Sequence, residues 1–221
     1  MKVLLFGATG MVGQGVLRAC LADPEVELVQ TVGRTATGLQ HLRLVELVHA
    51  DLFHLEAVQD SLRGFDACFF CLGASALRMG EVEFTRINHD LPLAVAQVLI
   101  ACNQKMTFVY VSGAGSNSYS HIMWARVKGH TEVDLLSLPF KAVYLFRPGL
   151  IQPLQGIRSK TPLYRVVLTL AAPVLPVLRW LLPHWVLTTE IVGRAMLAVV
   201  RQGSEVPFVE APEIARLAAL R

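Results

Sequence analysis

The stretch "KVLLFGATGMVGQG", Lys2 to Gly15, decides the fold. Val3 to Phe6 form a continuous apolar run, the pattern of a strand buried on both faces. Gly7, Gly10 and Gly13 follow as G-x-x-G-x-x-G, and from Met11 to about Leu21 the apolar positions Val12, Val16, Ala19 and Cys20 recur at helical spacing. A backbone that must turn tightly and approach a pyrophosphate leaves no room for side chains at the glycines. The helix that follows contributes free amides and the positive end of its dipole. A bare glycine triplet is weak evidence; its place between a first strand and a first helix makes it strong.

Outward from this start, short strand-like runs alternate with amphipathic helical lengths. The runs 26–32, 44–49, 66–72, 106–112 and 141–146 read as further strands, and 54–63, 82–103 and 119–137 as helices. Strict alternation with short loops predicts an α/β fold, a doubly wound parallel sheet covered by helices on both faces. After "RPG" (147–149) the pattern changes. A segment rich in proline and leucine, 161–187, precedes the helix-like "TEIVGRAMLAVVRQG" and a last short strand, "VPFVE". We therefore expect a single domain, 1–221, with a dinucleotide-binding core at 1–150 and a small C-terminal helical lobe at 151–221 for substrate or partner. Pro173 and Pro176 break the uncharged run from Val166 to Leu178, which is too short for a conventional membrane span. That segment reads as a buried or homodimer-forming helix, or as a peripheral membrane contact.

At 53% hydrophobic and 17% charged, the chain of 221 residues is apolar enough to argue against disorder and long enough for one sizeable core. Burial on both faces of a sheet is the usual cause. The net charge of +3 is small and no basic run interleaves with aromatics, so nucleic-acid binding is not expected. "MKVLLFGATG" is too short for a signal-peptide core, which leads us to expect a cytoplasmic protein. Cys68 and Cys71 form a C-x-x-C, but on a strand residues three apart point to opposite faces, so no metal is expected there. Cys20 and Cys102 read as helix-packing thiols.

The end of the second strand separates the two nicotinamide dinucleotides, because it faces the adenosine ribose. A protein that prefers NAD places a carboxylate there, about 20 residues past the glycines, to hold the 2′-OH. Here "QTVGRTATG" offers Arg34 and Thr35 and no acid. A guanidinium favours a 2′-phosphate by charge-assisted pairing, so the expected cofactor is NADP (NADPH), with NAD the lesser alternative. Asp51, followed by Leu52, could accept from an adenine amino group or cap a helix starting near His54. "CLGAS" (71–75) ends the fourth strand on the glycine-loop side and its backbone should border the cofactor, with Leu72, Gly73 and Ala74 as the contacts. With Gly7, Ala8, Thr9, Gly10, Met11, Val12 and Gly13 these residues make up the expected dinucleotide contacts.

Taken together, "GATGMVG", "VGR", "ADL", "CLGAS", "INHD", "VSGAGS", "VKG" and "FRPG" resemble, in order and spacing, the atypical branch of the short-chain dehydrogenase/reductase superfamily, with its Rossmann fold. The combination of "CLGAS" and "VKGH" is most similar to the Tat-interacting-protein-like oxidoreductases and to bacterial NAD-dependent epimerase/dehydratase domain proteins. The resemblance implies a catalytic serine, tyrosine and lysine. Ser112 matches the serine and Lys128 the lysine that holds the nicotinamide ribose; Trp124 stands in the tyrosine's slot. It also implies that the backbone at Pro148 passes near the nicotinamide. An indole N–H donates a hydrogen bond but does not give up its proton near neutral pH. A general acid contributes about 10²–10⁴-fold, so its loss weakens hydride transfer without abolishing it. His121, three residues before Trp124, could share its helical face, and Tyr119 lies nearer the loop after Ser112. Asn88 matches the family's asparagine, as a structural group or part of a water relay. The sequence thus supports an NADP-dependent oxidoreductase of a small, apolar carbonyl substrate. Its alternative is a weakly active or inactive NADP-binding protein that controls a partner contact.

Overall fold

The chain starts as its sequence predicts, with β1 (Lys2–Phe6) leading through the glycine turn into α1 (Met11–Ala22). The computed structural model describes residues 1–77, 79–152 and 186–220. Within them β1, β2 (Leu28–Gly33), β3 (Leu44–Val48), β4 (Ala67–Phe70), β5 (Thr107–Val111), β6 (Ala142–Arg147) and β9 (Phe208–Glu210) form one sheet. Its order is β3-β2-β1-β4-β5-β6-β9, and every pairing is parallel. The order reverses between β1 and β4, where a doubly wound sheet opens a crevice. Two short strands, β7 (Leu150–Gln152) and β8 (Val186–Thr188), pair separately from this sheet. Most of the apolar segment 161–187, read as a buried or dimer-forming helix or as a membrane contact, lies outside the described residues. Among those described, no helix is long and apolar enough to cross a membrane.

Side-chain alternation along the strands divides the core in two. Val3, Leu5, Phe69 and Phe146 face α1, α5 (Thr189–Gln202) and α6 (Ala211–Ala219), packing with Val16, Cys20, Met196 and Leu217. Leu4, Phe6, Phe70, Phe108 and Leu145 face the other way, onto α3 (Leu91–Cys102) and α4 (Met123–Leu136), through Val95, Leu99 and Leu135. A row of rings crosses this second face, Phe6 to Phe70 at 5.5 Å and Phe70 to Phe108 at 6.1 Å. Cys68 and Cys71 fall on opposite faces, as the strand period requires.

The helices after Thr188 return to the main sheet, and α5 crosses α1 closely. A Cβ on Gly15 would lie 2.3 Å from the Thr189 Cβ, and one on Gly193 would lie 2.6 Å from the Ala19 Cβ. Small residues on both helices set that crossing. Thr188 caps α5, its hydroxyl accepting from the Ile191 N–H at 3.2 Å. Thr188→Ala should therefore lower unfolding stability by about 1 kcal/mol in urea titration.

Three expected helices differ from their sequence reading. The 54–63 segment forms a 3₁₀ helix, Glu56–Leu62, with Leu62 its only buried residue, too little apolar surface to anchor a longer α-helix. The 82–103 segment is interrupted: α2 (Glu81–Thr85) is followed by a π-turn, Arg86–Asp90, before α3. The Asn88 carbonyl in that turn accepts from the Tyr110 hydroxyl at 3.0 Å and the Thr131 hydroxyl at 2.9 Å. Those bonds reward its departure from the helical ladder. The 119–137 segment starts only at Met123, because preceding side chains bind backbone amides. Asn117 Oδ1 accepts from Tyr119 N at 2.9 Å and Ser120 Oγ from Ile122 N at 3.1 Å, turns that compete with a helix. The short α6, unforeseen in the sequence, depends on α5 to bury Ile214 and Leu217.

Candidate functional site

A cleft of about 520 Å³ opens over the carboxyl ends of β1, β2 and β4, at the reversal of strand order. Of the expected dinucleotide contacts, Gly7, Ala8, Thr9, Gly10, Arg34, Thr35, Leu52, Leu72, Gly73 and Ala74 line it. Gly7 has φ +82°, and a Cβ there would lie 2.6 Å from Leu72 N. Gly10 is the N-cap of α1 and brings no side-chain cap to its first turn. A cradle without side chains, facing a free helix N-terminus, fits a pyrophosphate. The residues present therefore suit a dinucleotide.

Met11, Val12 and Gly13 lie outside the cleft wall. Gly13 acts behind the loop, where a Cβ would stand 2.1 Å from the Gly7 carbonyl oxygen. Asp51 is also off the wall. Its carboxylate accepts from Phe53 N at 2.9 Å and pairs with His54 Nδ1 at 2.8 Å, and the His54 bond draws its pKa below the usual range. It shapes the turn that presents Leu52, while the 3₁₀ helix beyond starts without a side-chain cap. Thr31, Val32, Gly33, Thr37, Cys71 and Ile87 complete the wall. Cys71 belongs to the "CLGAS" stretch expected to border the cofactor; the sequence reading missed the others, although the first three precede Arg34 directly on the strand whose end it had singled out. The loop after β2 is pinned by the Thr37 N–H, which donates to Glu46 Oε1 at 2.6 Å. A separate, larger hollow of about 670 Å³ lies between α1, α5 and residues 39–41 and shares no residue with the dinucleotide cleft.

Ser112 follows β5, buried, its N–H donating to Phe146 O at 2.8 Å. Its Oγ lies 3.0 Å from that of Ser116, which donates to Gly113 O at 2.8 Å. With the Ser116 proton committed to Gly113 O, Ser112 is the donor in the bond between the two hydroxyls. Half-buried Trp124 lays its six-membered ring against this turn. A Cβ on Gly113 would lie 3.5 Å from its Cζ3, and one on Gly115 3.9 Å from its Cη2.

Lys128 reaches inward from the next turn of α4. Its Nζ donates to Val111 O at 3.3 Å, lies 3.5 Å from the Tyr110 hydroxyl and stands 5.2 Å above the Tyr110 ring. Burial lowers its pKa to about 8, against the opposing charge of Glu132. Gly129 lets the preceding loop pass, since a Cβ there would meet Ser118 N at 2.2 Å. Asn88 is bonded at both ends of its side chain, Oδ1 accepting from Ala74 N at 3.2 Å and Nδ2 donating to Phe84 O at 3.1 Å. Of its two readings, this geometry is the structural one.

His121 and Tyr119 do not share the helical face of Trp124. Both precede α4 in the exposed turn, Tyr119 at 90% relative exposure, because Asn117 and Ser120 delay the helix. Pro148 is buried just past β6. Beside it Arg147 makes a two-pronged pair with buried Glu132, at 2.9 and 2.5 Å, reaches Glu210 at 3.1 Å and covers the Phe208 ring at 4.5 Å. The sequence reading missed this brace; its available signal was an acid four residues after Lys128, on the same helix face.

Comparison with known proteins agrees with this geometry. Residues 7–131 match the family described as NAD(P)H-binding. The protein fmp52, mitochondrial, of Emericella nidulans is 28% identical over 201 residues, covering 88% of this chain and 84% of the relative. Protein HTATIP2 of Rattus norvegicus is 27% identical over 152 residues, covering 68% of this chain and 62% of the relative. Among solved structures, the enzyme WbmF of Bordetella bronchiseptica in complex with NAD+ superimposes with a TM-score of 0.68 at 16% identity, covering 98% of this chain and 76% of that one. The short-chain dehydrogenase/reductase YIR035C of Saccharomyces cerevisiae gives 0.67 at 13% identity, covering 98% of each chain. The fungal relatives correct the cytoplasmic expectation, since they are named as mitochondrial proteins. That expectation rested on the lack of a signal-peptide core, a feature that bears on secretion and does not distinguish cytoplasm from organelle. With the glycine cradle at the strand reversal, Ser112 just past β5, Lys128 within α4, and these relatives, the chain belongs to the NAD(P)H-binding family as an atypical short-chain dehydrogenase/reductase related to the Tat-interacting-protein-like proteins.

Proposed function

We propose that this chain is an oxidoreductase that prefers NADP over NAD and reduces a small, largely apolar carbonyl compound. The observation that carries the cofactor preference is the cleft wall. It has Arg34 and Thr35 at the end of β2 and no carboxylate among its described residues. Gly7 and Gly10 would hold the pyrophosphate, Arg34 a 2′-phosphate, and Lys128 the nicotinamide ribose. A reduced nicotinamide supplies a hydride when bound. Ser112 would orient the substrate carbonyl, which requires its proton to turn away from Ser116.

Titration of cofactor fluorescence tests the preference. The wild type should bind NADPH more tightly than NADH, and Arg34→Ala should cost about tenfold or more in NADPH affinity, roughly 1.4 kcal/mol, with little change for NADH. Equal loss for both cofactors would remove the 2′-phosphate assignment. Turnover of a panel of carbonyl compounds then tests the reaction. The second reading, an NADP-binding regulatory protein, is favoured by the Trp124 ring lying over the serine turn. Tight NADPH binding with no turnover, and turnover gained by Trp124→Tyr, would select it.

A further inference from the structure

Reduction of a carbonyl needs a proton as well as a hydride, and the residues around Ser112 narrow its source. The Trp124 indole does not release a proton near neutral pH. The Ser112 hydroxyl donates a hydrogen bond but does not ionise near neutral pH. The Tyr110 phenol is 1% exposed, donates to Asn88 O, and is held protonated by burial. His121 and Tyr119 lie in the exposed turn before α4. Among the described residues around Ser112, Lys128 remains, with its Nζ beside the carbonyl of Val111, the residue immediately before Ser112.

We propose that Lys128 itself gives the proton to the substrate oxygen. This rests on the reductase reading and assigns its missing acid. As the carbonyl carbon takes up the hydride, the carbonyl π pair moves onto oxygen; one Nζ–H bond of Lys128 breaks and an O–H bond forms. The neutral amine left behind is reprotonated from water.

The surroundings favour release. Glu132, on the same helix, is the charged neighbour that acts on Lys128, and Arg147 from β6 already holds both its oxygens. From β5 the ammonium meets only the Tyr110 phenol and the Val111 carbonyl. On the π-turn, His89 is occupied by Asp90 and Asp134, each at 2.8 Å. Among the described residues no carboxylate forms an ion pair with Lys128, so its direct contacts are neutral oxygens, and the Glu132 charge opposes the loss of solvation only from a distance. Burial accordingly places its titration near pH 8, inside the range useful to a general acid.

Three measurements on the full chain test this. NADPH binding is followed by fluorescence for the wild type and Lys128→Arg, carbonyl turnover is followed against pH, and the Lys128 amine is titrated by competitive acetylation and mass spectrometry without cofactor. Arginine keeps the positive charge but does not release a proton, so the variant should bind NADPH while losing about 10²-fold or more in turnover. Wild-type reduction should fall as pH rises through the midpoint found by acetylation. A variant that binds NADPH and keeps most of its turnover overturns the proposal, as does an amine titrating in the ordinary lysine range. If Lys128→Arg loses binding, the wild-type profiles decide: coincident midpoints support the proton role, and a flat rate across the amine's titration overturns it. A wild type that fails to bind NADPH removes the dinucleotide reading itself; one that binds NADPH but reduces no carbonyl removes the reductase reading and the proton step with it, whereas turnover that ignores the amine's titration removes the proton step alone.

Discussion

Gly13→Ala should lower unfolding stability by about 3 kcal/mol or more and remove NADPH binding. The added Cβ would stand 2.1 Å from Gly7 O, 2.7 Å from Gly7 C and 3.0 Å from Ala8 Cα, all backbone atoms. Flexible side chains could rotate away from such a contact, but here the loop itself must move. Gly7 has no room to retreat, because its own missing Cβ already faces Leu72 N at 2.6 Å and Cys71 C at 2.7 Å across β4. One methyl therefore pushes α1, the glycine turn and β4 apart, and these are the elements that frame the cleft. Urea unfolding and NADPH fluorescence read the two losses. Gly80→Ala is the control, since a Cβ there meets nothing within 4 Å and the backbone is ordinary; its cost should stay below about 1 kcal/mol. Equal stability for the two variants would show that the turn has slack.

Arg147→Ala should cost about 3–5 kcal/mol in urea unfolding, because it leaves a buried carboxylate without its counter-ion. Glu132 is 2% exposed and receives both arms of the guanidinium, which also ties it to Glu210 on β9. Arg147→Met with Glu132→Leu together should recover much of the loss, since a well-packed apolar pair replaces a buried ion pair at little net cost. If the double variant is as unstable as the single, the loss comes from the Phe208 contact or the β9 edge and not from stranded charge.

How much of this was legible in advance differs from residue to residue. The cradle was readable because its requirements are local: a strand, three glycines at fixed spacing and a helix N-terminus act within the first 22 residues. Arg34 and Leu72 to Ala74 could be placed because a parallel sheet puts all its strand ends on one side. His121 was misplaced because helical period was extended back through Asn117 and Ser120, whose side chains bind the backbone and delay the helix to Met123. Asp51 had two local readings, and its bonds to Phe53 and His54 supplied a third.

By itself, then, the sequence determined the parallel α/β architecture, the dinucleotide cradle and an indole, Trp124, one turn before Lys128. These follow from short-range sterics, from periodicity and from the identity of single side chains. Only the tertiary structure decided that the Trp124 ring rests on Gly113 and Gly115, that the Asn88 carbonyl leaves its helix for Tyr110 and Thr131, and that Arg147 claims Glu132 away from Lys128. Each of these joins elements far apart in the chain. Burial sets their strength, because it removes the water that would otherwise satisfy the same polar groups, so their energies exist only once the sheet and its helices have closed around them.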